Sequence, residues 1–257
     1  QNEQLVTPYF ANAGVPSSIY RVGLPSLLGT CDDAYILPHA DPTWANHGNL
    51  LSFNTNNRGF IWAGCHAVSA LEGIFNPSNT SQRMNFLSTN GLQCYSSNSC
   101  GSLITEQHGN PTAPLNTYNP AYDGDPIMQF MGDLVPSTLN GSEQWYIPLT
   151  TGAWRPTTAP AITTADGVAP RKGVKLAYGP AFGSNTNGFV MYEGGHTSDG
   201  RGTIASQVAF QRAFMNFILL SGTQKQLLLN ANIPSTFISG TPQSASISVS
   251  GGSAPYT

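Results

Sequence analysis

The stretch Gly59-Phe60-Ile61-Trp62-Ala63-Gly64-Cys65-His66-Ala67-Val68-Ser69-Ala70-Leu71-Glu72 decides how this chain is read. Its apolar run, residues 60–63, is short and uninterrupted, as expected of a strand buried on both faces. Residues 67–75 predict a helix packed directly after that strand. Gly64 and Cys65 then fall on the turn between the two elements. A nucleophile on such a strand-to-helix turn is exposed at the carboxyl end of a sheet. The helix N-terminus behind it favours the thiolate, the reactive form of cysteine, and offers backbone N–H groups to a developing oxyanion. Gly64 suits the crowding because it has no side chain.

Working outward, residues 33–37 (Asp-Ala-Tyr-Ile-Leu) predict a strand closed by Pro38, and residues 47–54 a helix. Further upstream, residues 3–13 read as a short helix ended by Gly14 and Pro16, and residues 18–22 as a strand. Strand and helix alternating at such short intervals point to a mainly parallel sheet with helices on both faces. Residues 76–122 are rich in Asn, Ser, Gly and Pro and read as a loop-rich insertion, with irregular chain continuing to 172 apart from a strand near Trp145-Tyr-Ile-Pro-Leu. Regular structure returns with strands at 173–178 and 188–192 and a helix over 203–220 that stops at Gly222. On that helix Ile204, Val208, Met215 and Leu219 share one face, which Phe210, Phe214 and Phe217 widen, so it is expected to be mostly buried. From Gln226 onward, alternating segments such as Ser244-Ala-Ser-Ile-Ser-Val-Ser predict β-strands.

Three motifs in two separated stretches resemble the class I glutamine amidotransferase-like superfamily, which includes the PfpI-type peptidases. Asp33-Ala-Tyr-Ile-Leu-Pro is similar to that family's strand before the oxyanion loop, and Gly-Cys65-His66 to its PfpI-type elbow. Phe189-Val-Met-Tyr-Glu-Gly-Gly-His196 resembles the family's last strand and catalytic His. The resemblance spans residues 1–222 except the irregular middle. It implies Cys65 as nucleophile and His196 as base, with His39, Ala40, Asp41 and His66 at the oxyanion and substrate side. Departures are visible: His39-Ala40-Asp41 stands where the family has Gly-Gly, and Thr197-Ser198 where amidotransferases have Pro-Glu. Asp199 or Glu193 is then left to orient His196. The family's first strand does not precede the opening helix. The tail resembles the opening strands of immunoglobulin-like surface repeats and stops short of a complete sandwich.

Composition narrows the setting. Charged residues make up 9% of 257, against roughly 25% in an average soluble domain, and Asn, Ser, Thr, Gly and Pro take their place. That balance suits a secreted or cell-surface protein. The net charge of −3 and the lack of any Lys/Arg cluster exclude a nucleic-acid footprint. No apolar run approaches the roughly 18–20 residues of a membrane span. No signal-peptide pattern opens the chain, so Gln1 is expected to be a mature end or the start of a trimmed fragment, and the tail to continue past Thr257. Cys94 and Cys100 frame a short polar loop and are expected to close a local disulfide, while Cys31 and Cys65 either pair or stand free.

The fold expectation is therefore α/β: a flavodoxin-like sandwich with a mainly parallel sheet over 1–222, a loop-rich insertion at about 76–122, and a β-rich tail over 223–257. The leading functional expectation is a Cys-His thiol hydrolase acting on an amide or acyl group of a small molecule or peptide. The competing one is a non-catalytic adhesive module, self-associating or binding surface partners, on the same scaffold. Plain structural readings accompany both: a small buried cysteine at 65, a turn cap at His196, an idle helix-start residue at His66. No cofactor is expected, although His39, Asp41, His66 and His196 could share one divalent ion. Tyr122-Asp-Gly-Asp reads as a turn before it reads as a calcium loop. Trp44, Trp62 and Trp154 follow no spacing rule that would assign them to a cleft.

Overall fold

Phe60–Gly64 (β2) is buried at every position, as an interior strand of a sheet covered on both faces. The computed structural model that places it describes residues 6–38, 47–64, 67–88, 117–129, 147–148, 154–165, 172–194, 204–224, 227–232 and 246–251. Strand β2 pairs in parallel with β1 (Ala34–Leu37) on one side and β9 (Phe189–Glu193) on the other. Beyond β9 the sheet is antiparallel, through β8 (Lys172–Pro180), β7 (Ala159–Ala165) and β5 (Thr117–Tyr118). A short β6 (Ile147–Pro148) adds to the first residues of β8, giving seven strands ordered β1-β2-β9-β8-β7-β5 with β6 beside β8.

The architecture is α/β, but the expected mainly parallel sheet is corrected to a mixed one. Only β1, β2 and β9 run in parallel. Chain length explains the change of sense. Residues 181–188 are all that join β8 to β9, whereas a parallel crossover takes a dozen residues or more. Strand β7 lay in the stretch expected to be irregular, where Pro160 masks an otherwise strand-like Ala-Pro-Ala-Ile-Thr-Thr-Ala.

Helices cover both faces. Phe60, Trp62, Leu176, Tyr178 and Met191 pack toward α1 (Thr7–Asn12) and α4 (Ile204–Gln224). Ile61, Ala63, Ala177, Val190 and Tyr192 pack toward α2 (His47–Asn56) and α3 (Val68–Gly73). Each large side chain removed from water on these faces contributes about 1.5–3 kcal/mol. The side of α4 that is buried differs from expectation. Ala209, Phe210, Ala213, Phe214 and Phe217 face the sheet, while Ile204 and Leu219 are 80% and 64% exposed. Three phenylalanines carry more apolar area than the aliphatic stripe, and Phe210 and Phe214 meet the Trp62 ring edge-on at 6.1 and 5.2 Å.

Other local expectations also change. Residues 18–22 form no strand: Ile19 and Val22 are exposed, the Ile19 amide closes a turn onto Pro16, and Arg21 pairs with Asp32. The region read as insertion contains a hairpin, β3 (Phe75–Asn76) with β4 (Asn79–Arg83). Helix α4 runs through Gly222 to Gln224. Among its described residues the tail holds one antiparallel pair, β10 (Leu227–Asn232) with β11 (Ser246–Gly251).

A buried amide sets the alignment of β2 with β9. The Asn54 Nδ2 donates to the carbonyls of Gly59 and Gly188, both at 2.9 Å, and the Gly188 N–H donates back to the Asn54 carbonyl. The two backbones approach so closely that a Cβ on Gly188 would stand 2.1 Å from the Gly59 oxygen. Pinned at their amino ends, β2 and β9 keep Ile61 opposite Val190 and finish with Gly64 opposite Glu193.

Candidate functional site

The expected chemistry falls at the carboxyl edge of these two strands, where Cys65 follows Gly64 and His196 follows Gly194-Gly195 in sequence. Cys65, His66, His196 and Asp199 lie outside the described residues, as do His39, Ala40, Asp41, Cys94 and Cys100. Glu193 is the expected site residue that the structure describes, and its surroundings are specific.

The Glu193 side chain is fully buried on the α4 face of the sheet. Its Oε2 accepts a hydrogen bond from the Trp62 indole N–H at 3.0 Å, and its Oε1 has no hydrogen-bond partner among the described residues. Trp62 lies across Gly64: a Cβ at Gly64 would stand 2.6 Å from the indole ring. A side chain at position 64 would therefore displace the ring that holds Glu193. Burial pushes the Glu193 carboxyl up to about 8, although the Trp62 N–H and the charge of Lys175 both pull it down. Burial thus favours the protonated form of this carboxyl.

Lys175 reaches the same edge through an irregularity in the sheet. Ile162 pairs with Leu176 and Thr163 with Val174, which leaves Lys175 as an extra residue on β8. Such bulges re-aim side chains. Lys175 is buried, its Nζ donates to the Gly194 carbonyl, and its own carbonyl accepts the Gly194 N–H at 2.7 Å. One residue thereby engages both backbone polar groups of Gly194, two positions before His196.

Reading residues alone missed Trp62 and Lys175 as partners of Glu193. Trp62 is 131 positions away, too far for any local pattern to connect them. Lys175 did carry a signal, as the one charge in the apolar segment Gly-Val-Lys-Leu-Ala-Tyr. Buried lysines and glutamates are rarely without a partner.

The remaining candidates divide plainly. Cys31 is an exposed free thiol, not one half of a bridge. Asp123 and Gly124 form a turn after Pro120–Tyr122, and the Asp125 carboxylate accepts from the Tyr178 hydroxyl at 2.7 Å. Burial, then that bond to Asp125, drives the Tyr178 hydroxyl far above its ordinary range. Trp62 is core, and Trp154 stacks on Phe86 with ring centres 6.1 Å apart. Among the described residues no group of three or more His, Cys, Asp or Glu could hold a metal ion, and no helix is long and apolar enough to cross a membrane.

No family model, no curated protein and no solved structure matches the chain.

Proposed function

We propose that this chain is a secreted or cell-surface thiol hydrolase domain of amidotransferase-like, flavodoxin-like type, acting on an amide or other acyl group. The observation that carries the reading is the in-register ending of β2 and β9, with Gly64 opposite Glu193. Two parallel neighbours release the segments that bear Cys65 and His196 from one sheet edge, the usual ligand-binding edge of an open α/β sheet. In the proposed reaction the Cys65 sulfur bonds to the acyl carbon as the bond to the leaving nitrogen breaks. His196 takes the thiol proton and returns it to that nitrogen, and water then cleaves the thioester to the free acid. A neutral Glu193 suits hydrogen bonding better than charge stabilisation, which leaves Asp199 as the residue to orient the imidazolium.

A second reading, a non-catalytic surface module, is favoured by the exposed apolar residues of α4, Ile204 and Leu219. The generic acyl donor p-nitrophenyl acetate separates the two. The hydrolase gives a burst of nitrophenol and an acetyl group on the Cys65 peptide by mass spectrometry, both lost in Cys65→Ser. Absence of any Cys65 adduct at saturating donor leaves the surface-module reading standing.

A further inference from the structure

At the opposite, amino edge of the sheet lies a cleft of about 370 Å³, within the range of small-molecule sites. Three elements wall it: the end of α2, the β3–β4 hairpin and the β8–β9 connection. None of the eight side chains lining it is charged. Thr55, Asn76, Gln82, Ser184 and Asn187 supply hydroxyls and amides, and Phe182 supplies a part-exposed ring.

Two features show that this cleft is built rather than incidental. Phe182 sits in the left-handed region at φ 56, ψ 12, an outlier for a bulky residue. Buried Arg155 holds it there, with Nη1 donating to the Phe182 carbonyl at 2.9 Å. The same guanidinium donates to the carbonyls of Arg83 at 2.9 Å and Asn85 at 3.3 Å. One buried cation thus ties the β4 wall to the β8–β9 wall. Across the hairpin, the Asn76 amide donates to the Gln82 Oε1 at 3.1 Å, while the Gln82 amide nitrogen makes no hydrogen bond within the described residues. Local bonds also order the β8–β9 wall, where the Asn187 Nδ2 donates to the Ala181 carbonyl.

We propose that this cleft binds a neutral polyhydroxylated ligand, the end of an oligosaccharide, with Phe182 as its stacking platform and the Gln82 and Asn187 amides as hydroxyl partners. Amides both donate and accept, as sugar hydroxyls do. A charged ligand would lose water here with no opposite charge to meet it, because Arg155 is engaged by carbonyls and Arg83 lies over the Phe75 ring. The site is separate from the Cys65 edge and does not depend on a hydrolase activity.

The test is an amide chemical-shift titration of the whole chain with maltohexaose, cellohexaose, xylohexaose and chitohexaose, each to about 10 mM, a range that reads weak affinities. At least one should saturate and move the signals of Asn76, Gln82, Phe182 and Asn187. Phe182→Gly, which suits the left-handed backbone and removes the ring, should weaken binding about tenfold. Gln82→Ala should weaken it too, and stands in if Phe182→Gly does not fold. The proposal is overturned if no hexasaccharide moves these signals, if only other surfaces respond, or if the variant that folds binds as tightly as the parent chain.

Discussion

The two edges of the β2–β9 pair are held by different chemistry. At the amino edge an uncharged amide, Asn54, bonds to two backbone carbonyls, and its hold is the same at any pH. At the carboxyl edge a carboxyl and an ammonium, Glu193 and Lys175, are buried beside an indole. One edge fixes the register; the other is left titratable. A buried titratable group is costly when charged, and its presence at the edge that leads to Cys65 and His196 supports the proposed hydrolase reading.

The amino edge is the easier to break. Gly188→Ala forces a methyl group to within 2.1 Å of the Gly59 carbonyl oxygen, backbone against backbone, with no flexible neighbour to give way. We expect a loss of about 4 kcal/mol or more, read as a lower urea midpoint. A variant as stable as the parent would show that this contact does not set the register.

The carboxyl edge should respond to pH instead. The folded Glu193 carboxyl titrates near 8 and the unfolded one near 4.5. Because the folded value is the higher, the contribution is full below about 4.5 and is lost as pH rises toward about 8. The slope is at most ~1.4 kcal/mol per pH unit. Glu193→Gln, which keeps the shape and cannot ionise, should flatten that slope in urea unfolding at pH 5, 6.5 and 8. Identical slopes in parent and variant would show that Glu193 ionises normally.

A surface pair supplies the contrast of smallest effect. Arg21 donates to both oxygens of Asp32 and to the Leu27 carbonyl, yet its side chain is 58% exposed. Water and salt screen such a pair, so Arg21→Ala should cost no more than about 1 kcal/mol and less in high salt. A larger, salt-independent loss would mean that the turn at 16–32 matters to the fold.

How much of this could be read from residues varied with the range of the forces involved. The strands at 34–37, 60–64 and 189–193 and the helices at 47–56 and 68–73 announce themselves by local apolar runs and turn residues. The sense of β8 relative to β9 was also legible in principle, because eight residues cannot make a crossover. Residues 18–22 misled: their apolar side chains stay exposed, and a turn replaces the expected strand. On α4, three phenylalanines outweighed the aliphatic stripe in choosing the buried side, a choice that depends on Trp62 lying opposite. Of the expected site the sequence offered motifs, Gly64-Cys65 and Glu193-Gly-Gly-His196, of which the structure describes Gly64, Glu193 and Gly194. Its electrostatics were not, because they arise where Trp62, Lys175 and Glu193 converge from three strands.

The central claim is that the carboxyl edge activates Cys65, and competitive alkylation tests it most directly. Iodoacetamide at pH 6, with peptide mass spectrometry, compares Cys65 against Cys31, an exposed free thiol in the same molecule. An activated thiolate predicts that Cys65 labels about tenfold faster or more, and that His196→Ala removes the advantage. Cys65 labelling no faster than Cys31, or as fast without His196, would contradict it.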